Sequence, residues 1–164
     1  LTSRKPELVI SYSLENMGTQ TLVAEQYNHN FFTIDNEYIG ENYELELFFP
    51  PVFETFHPEK FNRQRSFMPY SKIQDNKIIV LQDVDVDVGI FSIMSGFGNS
   101  VSHHHGIIRN KRTRACVDIK GDTRLAGFHF WTDIITFCPE FFIGISVKPG
   151  ETQNWKRIYT FYEE

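Results

Sequence analysis

Cysteine is nearly absent from this chain: Cys116 and Cys138 are the only two among 164 residues. A disulfide-stapled scaffold is therefore excluded, although the two thiols can form one bridge or both stay reduced. Long apolar runs are missing, so no segment has the length to cross a bilayer as a helix. Residues 1–20 lack the basic start and apolar centre of a secretory leader, and the expected location is the cytoplasm. Positive charge is in deficit, with 16 Lys and Arg against 21 Asp and Glu, a net charge of −5. Neither nucleic acid nor membrane is an expected partner, since phosphate surfaces call for a basic face. Helical period is missing too: no long stretch repeats apolar residues every three or four positions. No internal repeat, low-complexity tract or flexible linker breaks the chain.

Aromatic residues are abundant, with 16 Phe and 7 Tyr against 3 Met. Aromatic rings suit strands and offer flat surfaces to ligands. Strand signals dominate. Residues 8–14 alternate and stop at the turn signal Glu15-Asn16-Met17-Gly18. Residues 20–34 read as a second strand or strand pair, and Tyr43 to Phe49 as a half-buried strand ended by Pro50-Pro51. Residues 50–70 read as a long loop, 76–82 as a short apolar strand, and 83–88 as a strictly alternating Asp-Val segment. Residues 97–106 read as a loop, and 107–120, 125–132, 141–147 and 155–162 as further strands, with a turn at Pro149-Gly150-Glu151. Many short strands separated by turn signals indicate an all-β fold, an antiparallel sandwich or barrel.

The segment Glu25-Gln26-Tyr27-Asn28-His29-Asn30-Phe31-Phe32 sets a histidine between two asparagines inside that second strand. Strands deplete Asn, so this stretch gives up packing for polar chemistry. Alternation puts Glu25, Tyr27, His29 and Phe31 on one face and Asn28, Asn30 and Phe32 on the other. His29 then sits on an aromatic-flanked face, able to pass a proton near neutral pH. The same pattern also suits a buried histidine tied to a backbone carbonyl.

Further along, Glu140 is a lone carboxylate within Phe137 to Ile143. Burial there raises its pKa and strengthens it as a base once ionised; the alternative is a turn residue after Pro139 that points to water. Trp131 offers a platform for the apolar face of a sugar, or is plain core. His103-His104-His105 invites a cupin-type metal reading through His103 and His105, but Arg109 and Asn110 stand where a ligating glutamate is wanted. Asp83, Asp85 and Asp87 suit either oxygen ligation of calcium or a solvated strand face. Arg63, Arg65, Arg112 and Arg114 are the candidates for gripping a sugar phosphate.

Taken together, these pieces resemble the aldose 1-epimerase (galactose mutarotase-like) superfamily. Residues 25–32 are similar to its Asn-His-aromatic strand, preceded by Leu14-Glu15-Asn16-Met17-Gly18 and followed by Ile39-Gly40-Glu41-Asn42-Tyr43-Glu44-Leu45. Cys138-Pro139-Glu140, then Val147-Lys148-Pro149-Gly150-Glu151 and the strand from Trp155, resemble the family's ending. The resemblance implies an antiparallel supersandwich with a sugar groove. It implies His29 as acid and Glu140 as base in anomer interconversion, with Tyr27, Asn28, Asn30, Trp131 and Asp85 as candidate sugar contacts. No metal or nucleotide cofactor enters that mechanism. A non-catalytic carbohydrate-binding domain of the same fold is the alternative. The family's enzymes also use a second histidine and often an arginine upstream, and only 28 residues precede His29 here. The chain is thus expected to be a single β-sandwich domain over 1–164, or the C-terminal part of a larger supersandwich. Its expected partners are a small-molecule sugar and the N-terminal part of the same protein.

Overall fold

The computed structural model describes residues 6–54, 70–85 and 89–164, and the backbone of 64–66. Two sheets pack face to face. The larger takes β1 (Glu7–Glu15), β3 (Tyr43–Leu47), β6 (Ser71–Gln74), β7 (Lys77–Val80), β9 (His105–Asn110), β10 (Ala115–Gly121) and β13 (Thr152–Glu163). Its order is β1-β13-β10-β9-β3-β7-β6. The smaller takes β2 (Leu22–Gln26), β4 (Val52–Phe53), β8 (Gly89–Ser95), β11 (Gly127–Thr132) and β12 (Phe137–Val147) in the order β2-β12-β11-β8-β4. A short β5 (Gln64–Ser66) runs parallel to β8, and the other strand pairs are antiparallel. No helix among the described residues is long and apolar enough to cross a membrane.

Period-two alternation explains which faces meet. In β3, Tyr43, Leu45 and Leu47 are buried, while Glu44 and Glu46 stay partly exposed. In β11, Phe128, Phe130 and Thr132 point inward; in β12, Phe137, Phe141, Ile143 and Ile145 do. Phe128, Phe130, Phe137 and Phe141, with Tyr43, Leu45, Leu47, Ile78, Ile90, Ile108, Ile119 and Tyr159, form the main core, and Ile143 and Ile145 join Val147 and Trp155 in a second cluster. On the outer face of the larger sheet, Glu44 and Glu46 meet Lys77 and Arg109, with contacts of 2.9 Å and 2.6 Å. Asn16 ties the turn after β1 to the turn between β12 and β13. Its side chain accepts from the Gly18 amide and donates to the Val147 carbonyl, and its carbonyl accepts from the Gly150 amide.

Several elements depart from the sequence expectations. The run 107–120 is two strands, β9 and β10, joined by a turn in which Arg114 takes a positive φ of 65°. The 83–85 stretch is not a strand, although Val84 points inward and Asp83 and Asp85 outward as alternation requires; 86–88 lie outside the described residues. Short strands β4 and β5 occur within the expected loop of 50–70. The strand expected over 20–34 stops at Gln26 and returns only as one bridge, Phe32 to Phe137.

The reason for that stop lies in β12. Gln26 pairs with Ile143, and the ladder should next reach residues 141 and 139. The Phe137 amide donates to the Phe32 carbonyl. Amides two residues apart point the same way, so position 139 faces the same edge. Position 139 is proline, which has no N–H to donate. The ladder lapses there, and Tyr27–Phe31 leaves the sheet edge. The Phe141 carbonyl, left without a strand partner, accepts instead from Arg157 Nη2 at 2.7 Å. Buried carbonyls need such a partner.

Candidate functional site

The parted segment keeps the alternation of an extended chain without its ladder. Asn28 and Asn30 turn toward the larger sheet. Asn28 Nδ2 donates to the Tyr159 hydroxyl at 3.0 Å, and that hydroxyl donates to Asn30 Oδ1 at 3.1 Å. Asn28 Oδ1 also accepts from the Tyr12 hydroxyl at 2.9 Å and from Gln26 Nε2 at 2.7 Å. Tyr27, His29 and Phe31 turn the other way, over the outer face of β11 and β12. The two asparagines expected to touch a sugar are thus occupied in fixing the segment that carries His29.

On that outer face, the register places His129 opposite Glu140 and Trp131 opposite Cys138. Cross-strand partners present their side chains on the same side of the sheet. His29 descends onto them: its Nε2 lies 3.0 Å from Glu140 Oε1. His129 Nδ1 lies 3.8 Å from Glu140 Oε2 on the other side. The Cys138 thiol reaches Glu140 Oε1 at 3.8 Å and lies 3.8 Å from His29 Nδ1. The ligating atoms of His29, Cys138 and Glu140 all fall within 4.8 Å of one another.

Rings wall this group. His29 meets Phe31 edge-on at 4.4 Å between centroids, and Trp131 lies 6.4 Å away. Phe31 and Trp131 are edge-to-face at 5.4 Å. Tyr27 stacks on Phe142 at 4.2 Å, and His129 lies between Phe142 and Phe91. Trp131 is half-buried with its ring on the outer face, so it is a wall of this site and not part of the layer between the sheets.

Burial sets the electrostatics. The Glu140 side chain is 5% exposed and that of His29 45%. Loss of water around the Glu140 carboxylate pushes its pKa up to about 7. Burial, then the Glu140 charge, raises Cys138. Burial lowers His129, which favours its neutral form. The result is a carboxyl near half ionisation at neutral pH beside an accessible imidazole. Such a pair can accept and donate protons to one small molecule lying on the rings.

Of the expected site residues, the structure therefore brings together His29, Glu140, Tyr27 and Trp131. Glu140 sits mid-strand and buried, not in a water-facing turn, and His29 is held by a carboxylate, not by a backbone carbonyl. Asp85 is elsewhere, exposed and accepting from the Tyr70 hydroxyl at 3.1 Å. The expected metal pair is split. His103 ends a short 3-10 turn and accepts from the Gly98 amide at 2.8 Å, whereas His105 begins β9 and bonds Asp118 at 2.9 Å. Cys116 and Cys138 are both free thiols. Arg112 pairs with Glu37, and Arg63, Asp87 and the Arg65 side chain lie outside the described residues. His129 and Cys138 were missed as site members. Their signal was His-x-Trp opposite Cys-x-Glu, which gains meaning only once β11 and β12 are known to pair.

Two hollows of about 430 and 550 Å³ lie away from this group, one between Phe32 and Phe161 and one beside Arg124 and Gln153. The His29–Glu140 group instead occupies an open aromatic face, and its chemistry marks it out more than its depth does.

No family model matches the chain, and no curated protein matches it. Solved structures do. A candidate aldose 1-epimerase of Escherichia coli K12 superposes with a TM-score of 0.65 at 11% identity, over 96% of this chain and 57% of that one. A galactose mutarotase-like protein of Lactobacillus casei gives 0.63 at 10% identity, over 94% and 58%. A galactose mutarotase related enzyme of Lactobacillus acidophilus gives 0.60 at 12% identity, over 96% and 58%. The chain spans about half the length of each. With its two antiparallel sheets and these neighbours, this chain has the galactose mutarotase-like fold.

Proposed function

We propose that this chain carries the acid/base pair of an aldose 1-epimerase-type isomerase. The observation that supports it is the 3.0 Å approach of His29 Nε2 to Glu140 Oε1 on an aromatic face. Anomer interconversion opens a hemiacetal. A base takes the C1 hydroxyl proton while an acid protonates the ring oxygen. Both oxygens are bonded to one carbon, so acid and base must be close neighbours. Glu140, ionised, takes the hydroxyl proton, and His29, protonated, gives one to the ring oxygen. The C1–C2 bond then turns and closure on the other face returns both protons. Positioned groups of this kind contribute roughly 10² to 10⁴ in rate each. Trp131 and Phe31 offer their apolar rings to the CH face of the sugar. Asn28 and Asn30 hold the His29 segment. Asp85, bonded to Tyr70, is not needed for this reading.

The same fold without turnover would be a carbohydrate-binding domain, because fold alone does not fix chemistry. The neighbours are about twice as long, and a further segment of the same protein is proposed to complete the sugar groove. The test is anomer relaxation of freshly dissolved aldoses, followed by NMR, with this chain and with the full reading frame. A rate above buffer that His29→Ala and Glu140→Gln both remove supports the isomerase. Sugar binding with relaxation no faster than buffer supports the binding domain instead.

A further inference from the structure

We infer that His29, Cys138 and Glu140 form a three-donor binding site for a thiophilic divalent cation such as zinc, with water in the fourth position. The donor set is one thiol, one carboxylate and one imidazole, a mixture that suits zinc and not magnesium or calcium, which take oxygen. Spacing agrees. Zinc bonds of about 2.0–2.3 Å in a tetrahedron imply donor separations of roughly 3.3–3.6 Å. Cys138 Sγ is 3.8 Å from Glu140 Oε1 and 3.8 Å from His29 Nδ1. His29 presents one ring nitrogen to an ion, and with one donor atom from each residue the three lie within 4.8 Å of one another. A closing movement of side chains brings these three onto one ion, and water completes the tetrahedron.

The donors are also held for it. Glu140 and Cys138 lie two residues apart on one strand, β12, so their side chains share one face. Cys138 and Glu140 are buried, so a cation there displaces little protein–water contact. His29 comes from the parted segment and closes the site from above, leaving an approach through its exposed edge. Binding releases the Cys138 thiol proton, and that of Glu140 when protonated, to solvent.

The consequence is regulatory and rests on the acid/base reading. A bound ion takes the His29 lone pair and the Glu140 carboxylate, so neither can move a proton on a sugar. Zinc is then a reversible inhibitor that a chelator relieves.

The experiment titrates the chelator-stripped chain with zinc against a chromophoric competitor, and separately with cobalt. One ion per chain is expected, unaffected by excess magnesium. Cobalt should give a near-ultraviolet sulfur-to-metal charge-transfer band. Cys138→Ser should remove that band and weaken zinc by more than the roughly 10- to 100-fold that loss of a ligand's hydrogen-bond partner costs. No binding, or cobalt binding without the band, overturns the site, and the native chain alone decides this should Cys138→Ser fail to fold. Anomer relaxation is measured in parallel with chelator and with zinc. A chelator-treated chain that turns over but binds no zinc sinks only the metal site. A chain that binds zinc through Cys138 but never turns over sinks only the acid/base reading.

Discussion

Arg157 of the larger sheet donates Nη2 to the Phe141 carbonyl of the smaller sheet at 2.7 Å, where β2 and β12 part. The arginine is 1% exposed and has no carboxylate partner among the described residues. Burial lowers its pKa, while the nearby Tyr159 and Tyr12 hydroxyls work in the opposite sense. Its value to the fold is to satisfy a carbonyl that Pro139 has deprived of a ladder. Arg157→Ala should therefore cost about 2–4 kcal/mol, from an orphaned carbonyl and a cavity together. Arg157→Met fills the space and removes the buried charge, so its cost should be clearly smaller. Urea unfolding of the two variants measures the difference; equal losses would show that the carbonyl bond, absent from both, outweighs the cavity and the charge.

Tyr159→Phe removes the hydroxyl shared by Asn28 and Asn30. The expected loss is about 1–3 kcal/mol of local anchoring, because Asn28 keeps Tyr12 and Asn30 loses its donor. Amide exchange over 27–31 should quicken while that of β11 stays unchanged. The anomer rate should fall less than in His29→Ala, since the imidazole remains present but less well placed.

The pH dependence of turnover follows from Glu140. A base must be ionised, and burial places its pKa at about 7. On the acid side, the relaxation rate catalysed by the free protein should therefore fall as pH drops below about 7 and Glu140 takes up a proton. A rate that is flat between pH 5 and 8 would remove Glu140 from the role of base.

Stability should carry two opposed pH contributions, one from His104 and one from Glu140. Its ring is 1% exposed, Nδ1–H donates to the Thr123 carbonyl at 3.0 Å, and Nε2 has no partner. Burial lowers its pKa from 6.5 to about 4. The unfolded chain binds a proton at this group below 6.5 and the folded chain only near 4. This group then withdraws stability as pH falls from 6.5 toward 4, by at most about 3 kcal/mol, while Glu140, its pKa raised to about 7, adds stability over much of the same fall. Thermal melts of the wild-type chain and of His104→Gln across this range isolate the His104 share: the variant should gain on the wild type as pH falls from 6.5 toward 4, and parallel curves would remove His104 from the account.

Gly121 faces that same ring, and a methyl group added there would overlap His104. The ring is sandwiched against Phe141 at 5.4 Å and cannot swing aside freely. Gly121→Ala should destabilise by about 1–3 kcal/mol through overpacking. Gly144→Ala, which meets only Ala126 at ordinary contact distance, is the control and should change little.

Local chemistry made much of this legible. Alternation and turn signals identified the all-β class, the half-buried character of β3, and the division of 25–32 into a histidine side and an asparagine side. Those features depend on a strand's two-residue period, which sequence carries directly. The resemblance then singled out His29 and Glu140. What alternation could not show is whether an extended segment has a partner. Residues 27–31 read as strand because their side chains alternate, yet Pro139, more than a hundred positions away, denies them a ladder.

The chain's own sequence thus determined which residues share a face and that the fold is built of strands. Only the tertiary structure decided that β11 lies against β12, that His129 and Cys138 join Glu140, and that Asn28 and Asn30 bind Tyr159 in place of open solvent. The physical reason is that side-chain direction is a local property, whereas register and hydrogen-bond partnership depend on which distant strands come to lie 4.7–4.9 Å apart, the usual strand spacing.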